Sequence, residues 1–188
     1  EICEAGIPVR RVEEVTNFPE MMGGRVKTLH PLIFGGILGR DSDKDQMEEH
    51  GIENIDMVIC NLYPFKSAAE KGVDLSSLIE EIDIGGPSLL RAASKNHSRV
   101  SVVTDPGDYG WILNEIINGG LTFEQRQQLA LKSFRHTAEY DSIIQSVLAQ
   151  RFGEEELPSS LHLTGIGSPP LRYGENPHQS SVFYSDLL

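Results

Sequence analysis

Two short apolar runs constrain the possible fold more than any other feature of this sequence. They read IDMVIC at residues 55–60 and RVSVVT at residues 99–104. Compact apolar runs of this kind are typical of strands that are buried on both faces of a parallel sheet. The sequence therefore predicts a strand at each position, and residues 7–12 are a further, short strand candidate.

Helical patterns alternate with these strands. We predict helices at residues 44–50, 74–82 and 87–95, and in the last of these Gly85 and Gly86 precede a proline at the first helical position. Alternation of strands and helices is typical of α/β domains. The sequence therefore predicts a doubly wound α/β fold with a parallel sheet.

The pattern changes after residue 106. A long stretch with helical periodicity begins at Thr122, which has capping-box spacing to Gln125, and continues to about Arg151. We predict one long helix here, or two helices that abut. Residues 154–160 are acidic, end in Pro and Ser, and are typical of a linker, so we expect a short second unit beyond them.

The sequence has the pattern of an incomplete element at each end of the chain. Residues 1–5 have the pattern of a last helical turn that Gly6 ends, yet a single turn is not stable by itself. Residues 181–184 alternate like a strand with no evident partner. We therefore expect the chain to be a fragment that lacks residues on both sides.

Charge and composition exclude several classes of function. The formal net charge of −12 argues against nucleic-acid binding, which depends on Lys and Arg side chains that neutralise phosphates. Cys3 and Cys60 are far apart and form no CxxC motif, and the histidines have no paired metal spacing, so neither a disulfide framework nor a metal site is predicted. The absence of a cysteine framework fits a reducing cytoplasm, and neither a membrane span nor a secretory signal is visible.

A basic segment at residues 23–31 (GGRVKTLHP) is the first candidate site. Its paired glycines allow close approach of a ligand to the backbone. We expect Arg25 and Lys27 to lie on the same side of an extended segment, with the Thr28 hydroxyl beside them, an arrangement that suits a phosphate or an oxyanion. A solvated basic turn is an equally acceptable interpretation.

Two further candidate sites lie next to predicted elements. One follows the strand at residues 55–60, and the other lies around the helix at residues 87–95. Asn61 and Tyr63 come directly after the strand, where ligands bind in open α/β sheets, although a rigid turn at Pro64 explains them equally well. Asp83 precedes a glycine pair and a helix N-terminus that can receive an anion, and Lys95 lies near the far end of that helix. Simple capping of the helix dipole is the alternative for both charges.

A polar loop at residues 171–179 (LRYGENPHQ) is the fourth candidate. Its density of functional groups exceeds that of an ordinary surface loop. The strings GGRVKTLHP, CNLYPF, IDIGGPSLLRAASKNH and LRYGENPHQ together resemble, in order and separation, the bifunctional phosphoribosylaminoimidazolecarboxamide formyltransferase and IMP cyclohydrolase family of purine biosynthesis.

This resemblance implies two domains. Residues 1–155 correspond to a methylglyoxal-synthase-like cyclohydrolase domain without its first elements, and residues 156–188 to a linker and the beginning of the formyltransferase domain. The family's first strand and two phosphate-binding loops have no counterpart in the chain. We therefore expect this fragment to be inactive by itself.

The resemblance also implies which residues form the sites. Lys27, Asn61, Tyr63, Asp83 and Lys95 correspond to catalytic residues of the cyclohydrolase. Substrate-binding positions correspond to Arg25 and Thr28 in the cyclohydrolase and to Arg172 and Tyr173 in the formyltransferase.

The family relationship further implies ribonucleotide substrates, a cytosolic homodimer, and 10-formyltetrahydrofolate as the co-substrate of the formyltransferase, with no cofactor or metal for the cyclohydrolase. Two alternatives remain open. One is a regulatory module of the same fold that binds a nucleotide effector without catalysis. The other is an interaction segment whose long helix forms a dimer interface, which an exposed apolar stripe on that helix would support.

Overall fold

The computed structural model describes residues 2–153, 165–169 and 181–186. At its centre two strands run parallel, β1 at Met57–Ile59 and β2 at Ser101–Val103, with Val58 opposite Val102. The Cys60 N–H donates to the Val103 carbonyl oxygen at 3.0 Å and extends the ladder beyond β1. Both central strand predictions and the parallel α/β class are therefore confirmed, with strands shorter than the apolar runs.

Eight α-helices lie in the described part of the chain. In order they are α1 Val12–Thr16, α2 Pro31–Leu38, α3 Lys44–Glu49, α4 Phe65–Glu70, α5 Leu75–Glu80, α6 Gly85–Lys95, α7 Tyr109–Ile117 and α8 Phe123–Phe152. Short 3-10 turns occupy Met22–Gly24, Asp41–Asp43 and Pro106–Asp108. A separate antiparallel pair consists of β3 at Gly165–Gly167 and β4 at Tyr184–Asp186.

Helix α6 begins at Gly85, two residues earlier than predicted, and the Asp83 side chain bonds to its first turn. The Asp83 Oδ1 atom accepts a hydrogen bond from the Gly86 N–H at 2.8 Å, so Pro87 is the third residue of the helix and not the first. A proline is still tolerated in the first helical turn, where its missing N–H breaks no intrahelical bond. Gly86 is required because a Cβ atom there would collide with Asp83 and Leu62.

Helix α8 is one continuous helix of 30 residues. The Thr122 hydroxyl accepts from the Gln125 N–H at 3.2 Å, and the Gln125 side chain accepts from the Thr122 N–H at 2.7 Å, which confirms the capping box. Gly153 ends the helix in the left-handed conformation. Of the two alternatives for this stretch, one long helix is therefore the correct one.

Two hydrophobic clusters form the core, and α8 contributes to both. The first lies around the strands, where Val102 and Leu90 are fully buried and Leu129 of α8 packs beside them. The second joins Phe65 to Tyr140, whose rings meet edge to face with centroids 6.5 Å apart. Helix α8 thus spans the domain from the sheet to the α4–α5 side.

The strand prediction for residues 7–12 is wrong. Residues 7–10 have no regular secondary structure, and Val12 already belongs to α1. Ile7 and Val9 are 55% and 44% exposed, so the apolar positions of this segment are not buried in a sheet. An alternating apolar pattern forms a strand only when a neighbouring strand forms hydrogen bonds with it. None of the described strands pairs with this segment.

The other chain-end expectations have mixed outcomes. Residues 2–6 form a turn and not the predicted end of a helix, although Gly6 has the positive φ, of 75°, expected of a stopping glycine and its N–H donates to the Cys3 carbonyl at 3.0 Å. The strand expected without a partner at residues 181–184 begins instead at Tyr184 and is paired with β3. The predicted linker at residues 154–160 lies outside the described residues. Among those residues, no helix is long and apolar enough to span a membrane.

Candidate functional site

The carboxyl ends of β1 and β2 meet at one edge of the sheet. Asn61 follows β1, and its Nδ2 donates to the Thr104 carbonyl oxygen just after β2, at 3.1 Å. The Tyr109 hydroxyl donates to Asn61 Oδ1 at 3.4 Å. The amide of Asn61 is therefore fixed from both sides, at the position where open α/β sheets bind ligands.

The Asp83 loop lies beside this edge. Asp83 is half-buried, its Oδ1 caps α6 at Gly86, and its backbone N–H donates to the Tyr140 hydroxyl of α8 at 2.8 Å. Burial, with the Asp83 charge as a second cause, raises the pKa of the Cys60 thiol. Because the thiolate is the nucleophilic form, Cys60 is not an activated nucleophile.

Thr28 joins the same region from the basic segment. A Cβ atom built on Gly85 would lie 3.0 Å from the Thr28 Oγ1 atom, so this hydroxyl lies against the first turn of α6. Helix N-termini favour anions because their amides and the helix dipole point outward there. The structure therefore brings Thr28, Asp83 and the start of α6 together.

The basic segment is not extended, contrary to our expectation. Residues 22–28 form successive turns, in which Gly23 and Gly24 have positive φ values of 64° and 87°. Arg25 pairs with Glu80, whereas Lys27 Nζ pairs with Glu20 at 2.6 Å. Each cation thus has its own carboxylate, and the two do not form the shared basic patch that an extended segment would give.

The carboxylates also stabilise the charged forms of these cations. Hydrogen bonding to Glu20 raises the pKa of Lys27, and hydrogen bonding to Glu80 raises that of Arg25. Lys27 lines a cavity of about 260 Å³ whose wall includes Phe18, Glu20 and His30. Lys27 is therefore a partly exposed cation at the wall of an open cavity.

Tyr63 and Lys95 are both exposed. Tyr63 precedes α4 and is 56% exposed. Lys95 is exposed and is the last residue of α6, so about 15 Å of helix axis, at a rise of about 1.5 Å per residue, separates it from the first turn, beside which Asp83 lies. A single copy of the chain does not bring Asp83 and Lys95 together. Arg172 and Tyr173 lie outside the described residues.

Three residues that hold the site in place were missed by the sequence analysis. Tyr140 and Tyr109 contact Asp83 and Asn61, as described above. Lys132 of α8 binds Asp105 and Asp108, each at 2.7 Å from its Nζ atom, and so fixes the loop that carries Tyr109. No sequence signal identifies these residues, since each is remote in sequence from the group that it contacts.

The ionic contacts of Lys132 are mutual. Hydrogen bonding to Lys132 lowers the pKa of Asp105. Burial lowers the pKa of Lys132, but the hydrogen bonds and charges of its two carboxylates together outweigh burial, so that the pKa is raised. Within the described ranges no group of His, Cys, Asp and Glu side chains is arranged to hold a metal ion.

Comparison with known proteins covers nearly the whole chain. Residues 1–88 match the family described as MGS-like domain, and residues 93–187 match the family described as AICARFT/IMPCHase bienzyme. The chain is 52% identical to the bifunctional purine biosynthesis protein PurH of Persephonella marina, over 96% of the chain and 36% of that relative. The corresponding protein of Oceanobacillus iheyensis is 53% identical, over 100% of the chain and 37% of the relative.

A solved structure is also similar. The crystal structure of ForH superposes with a TM-score of 0.69 and 37% sequence identity, and the match covers 79% of each chain. The chain spans a little more than a third of the length of the curated relatives named above. The comparisons thus support the α/β fold with an MGS-like domain.

Proposed function

The chain belongs to the AICARFT/IMPCHase bienzyme family, and we propose that the protein carrying it performs two consecutive steps of purine biosynthesis. The first formylates aminoimidazole carboxamide ribotide. The second closes the formamido product to inosine monophosphate with loss of water. The group formed by Thr28, Asn61 and Asp83 at the carboxyl edge of the sheet is the structural observation that supports a site for the second step.

Ring closure requires three chemical roles. The carboxamide nitrogen attacks the formamido carbon, so a group must accept its proton, donors must stabilise the developing oxyanion, and an acid must protonate the departing hydroxide. Both reacting groups belong to one substrate molecule, and holding them in the reactive orientation supplies much of the rate. No step needs a metal or a redox cofactor.

We assign these roles to the residues named by sequence. Asp83, Lys95 and Tyr63 transfer the protons. Lys27 and Asn61 stabilise the oxygen charge, for which the doubly held amide of Asn61 is well prepared because it needs no reorientation. Arg25 and Thr28 anchor the ribotide, which requires Arg25 to exchange Glu80 for the substrate phosphate.

A homodimer is part of the proposal. Because Lys95 lies at the opposite end of α6 from Asp83, the Lys95 that acts in this step must come from a second copy of the chain. On α8, Leu131 and Phe134 are 46% and 39% exposed and three residues apart, which supports the apolar stripe expected of a dimer-forming helix.

For the formyltransferase step we propose 10-formyltetrahydrofolate as the donor and a cytosolic location. Arg172 and Tyr173 would bind the aminoimidazole ribotide in that second domain, with the boundary at residue 155. The regulatory-module alternative is not favoured, because the curated relatives are described as bifunctional biosynthetic proteins.

The direct test is ultraviolet detection of inosine monophosphate formed from the formylated ribotide by the full-length gene product. We expect turnover by the wild-type protein and a loss of at least about 100-fold in the Asp83→Asn variant, the lower end of typical acid–base contributions. Full turnover by Asp83→Asn would remove Asp83 from the mechanism. Absence of turnover in the wild-type protein would contradict the proposed function itself.

A further inference from the structure

The Tyr140 hydroxyl makes two hydrogen bonds to the loop that carries Asp83. It accepts from the Asp83 N–H at 2.8 Å and donates to the Glu81 carbonyl oxygen at 3.1 Å. Both partners are backbone groups of the short connection between α5 and α6. One side chain of α8 thus fixes the backbone of this connection on both sides of Ile82.

The environment of Tyr140 keeps this arrangement rigid. The residue is 8% exposed and packs its ring edge to face against Phe65 in the second hydrophobic cluster. Burial raises the pKa of its hydroxyl, so the group stays protonated and can donate and accept at once. A side chain held this way transmits the position of α8 to the loop.

The Asp83 side chain is held separately. Its Oδ1 atom is bound to the Gly86 N–H, which fixes the carboxylate relative to α6, while Tyr140 fixes the backbone relative to α8. With both constraints the second carboxylate oxygen, Oδ2, has a defined direction. Without the Tyr140 hydroxyl the loop would keep the α6 contact and the hydrogen bonds that the Glu81 and Ile82 N–H groups donate to α5, but no hydrogen bond to α8.

We propose that Tyr140 is a positioning residue for the cyclohydrolase step, acting through Asp83 without touching the substrate. This inference rests on the proposed function. Removal of the hydroxyl leaves the ring and the core intact but releases the Asp83 backbone. Displacement of a catalytic group by about 1 Å can lower the rate by about 100-fold. We therefore expect loss of the Tyr140 hydroxyl to lower kcat and to leave substrate affinity nearly unchanged.

The test uses Tyr140→Phe in the full-length gene product, with both activities measured on the same preparation. We expect kcat for inosine monophosphate formation to fall by about 10-fold or more, KM to change by less than about 3-fold, and formyltransferase activity to stay within about 2-fold. Ser146→Ala is the matched control, since its hydroxyl donates to the Ser142 carbonyl within α8, and it should retain wild-type kcat.

A cycle with Asp83→Asn separates positioning from a general structural role. If Tyr140 acts through Asp83, its hydroxyl has no catalytic carboxylate to position in the Asp83→Asn variant. Adding Tyr140→Phe to that variant should then lower kcat by less than about 2-fold. Equal losses in both backgrounds would overturn the proposal. So would wild-type kcat in Tyr140→Phe, or a parallel loss of both activities. An inactive wild-type protein would instead refute the proposed function.

Discussion

Two side chains share the carbonyl groups at the end of α2, and replacing both should cost more than the sum of the single replacements. The Arg99 guanidinium donates to the carbonyl oxygens of Ile37 and Gly39 at 3.2 and 3.1 Å. Asn96 Nδ2 donates to the same two oxygens at 2.8 and 3.0 Å. Either Arg99→Met or Asn96→Ala alone leaves each oxygen with one donor.

The double variant leaves both oxygens without a side-chain donor. A buried backbone group that loses its partner costs about 1–3 kcal/mol. Two such groups therefore predict a coupling free energy of at least about 2 kcal/mol, in the direction of greater instability than the sum of the single variants.

Urea unfolding followed by far-UV circular dichroism measures this coupling in the wild-type protein, the two single variants and the double variant. The slope of the unfolding free energy with urea must be the same in all four proteins for the comparison to hold. Pairing Arg99→Met with Ser146→Ala, whose hydroxyl bonds within α8, is the additive control. Additivity of Arg99→Met and Asn96→Ala within about 0.5 kcal/mol would refute the shared-oxygen account.

Three further predictions concern single groups. Thr122→Ala removes the capping box of α8 and should lower the unfolding free energy by about 1 kcal/mol, measured by urea titration; an unchanged midpoint would contradict the cap. Hydrogen bonding to Arg40 lowers the pKa of Asp43 from 3.8 to about 2. The contribution of the Asp43 carboxylate to folding stability is therefore complete above the pKa of the unfolded chain and is lost as the pH falls through about 2. Carbon-13 NMR titration of Asp43 should give a midpoint near that value, and a midpoint near 3.8 would disprove the pairing. Iodoacetamide at pH 8 should label the exposed Cys3 faster than Cys60, whose pKa burial raises; equal rates would contradict this protection.

Sequence alone predicted the strands because their apolar runs are short and dense. It did not predict α2, whose sequence PLIFGGIL is apolar on nearly all sides and therefore lacks a helical period. Its two glycines are explained only by tertiary contacts, since a Cβ atom on Gly35 would lie 2.9 Å from the Ile52 side chain. Local sequence pattern therefore predicts elements that have one buried face. It does not predict an element such as α2, whose conformation depends on tertiary contacts.

The same limit applies to the site. The strand-end rule placed Asn61 correctly at the carboxyl edge, where the structure finds it bonded to Thr104. It could not reveal that Tyr140 contacts Asp83, because 57 residues separate them. The predicted helix did separate Asp83 from Lys95, and α6, which ends at Lys95, agrees with it.

Helix α8 connects these observations. Lys132 holds the loop after β2, and Tyr140 holds the Asp83 loop. The two residues are eight positions apart, which places them on one face of the helix and separates them by about 12 Å along its axis. Because a continuous helix changes length very little, α8 sets the spacing between the loop that fixes Asn61 and the loop that carries Asp83. A helix whose sequence pattern suggested only a dimer surface therefore also determines the geometry within one copy of the chain.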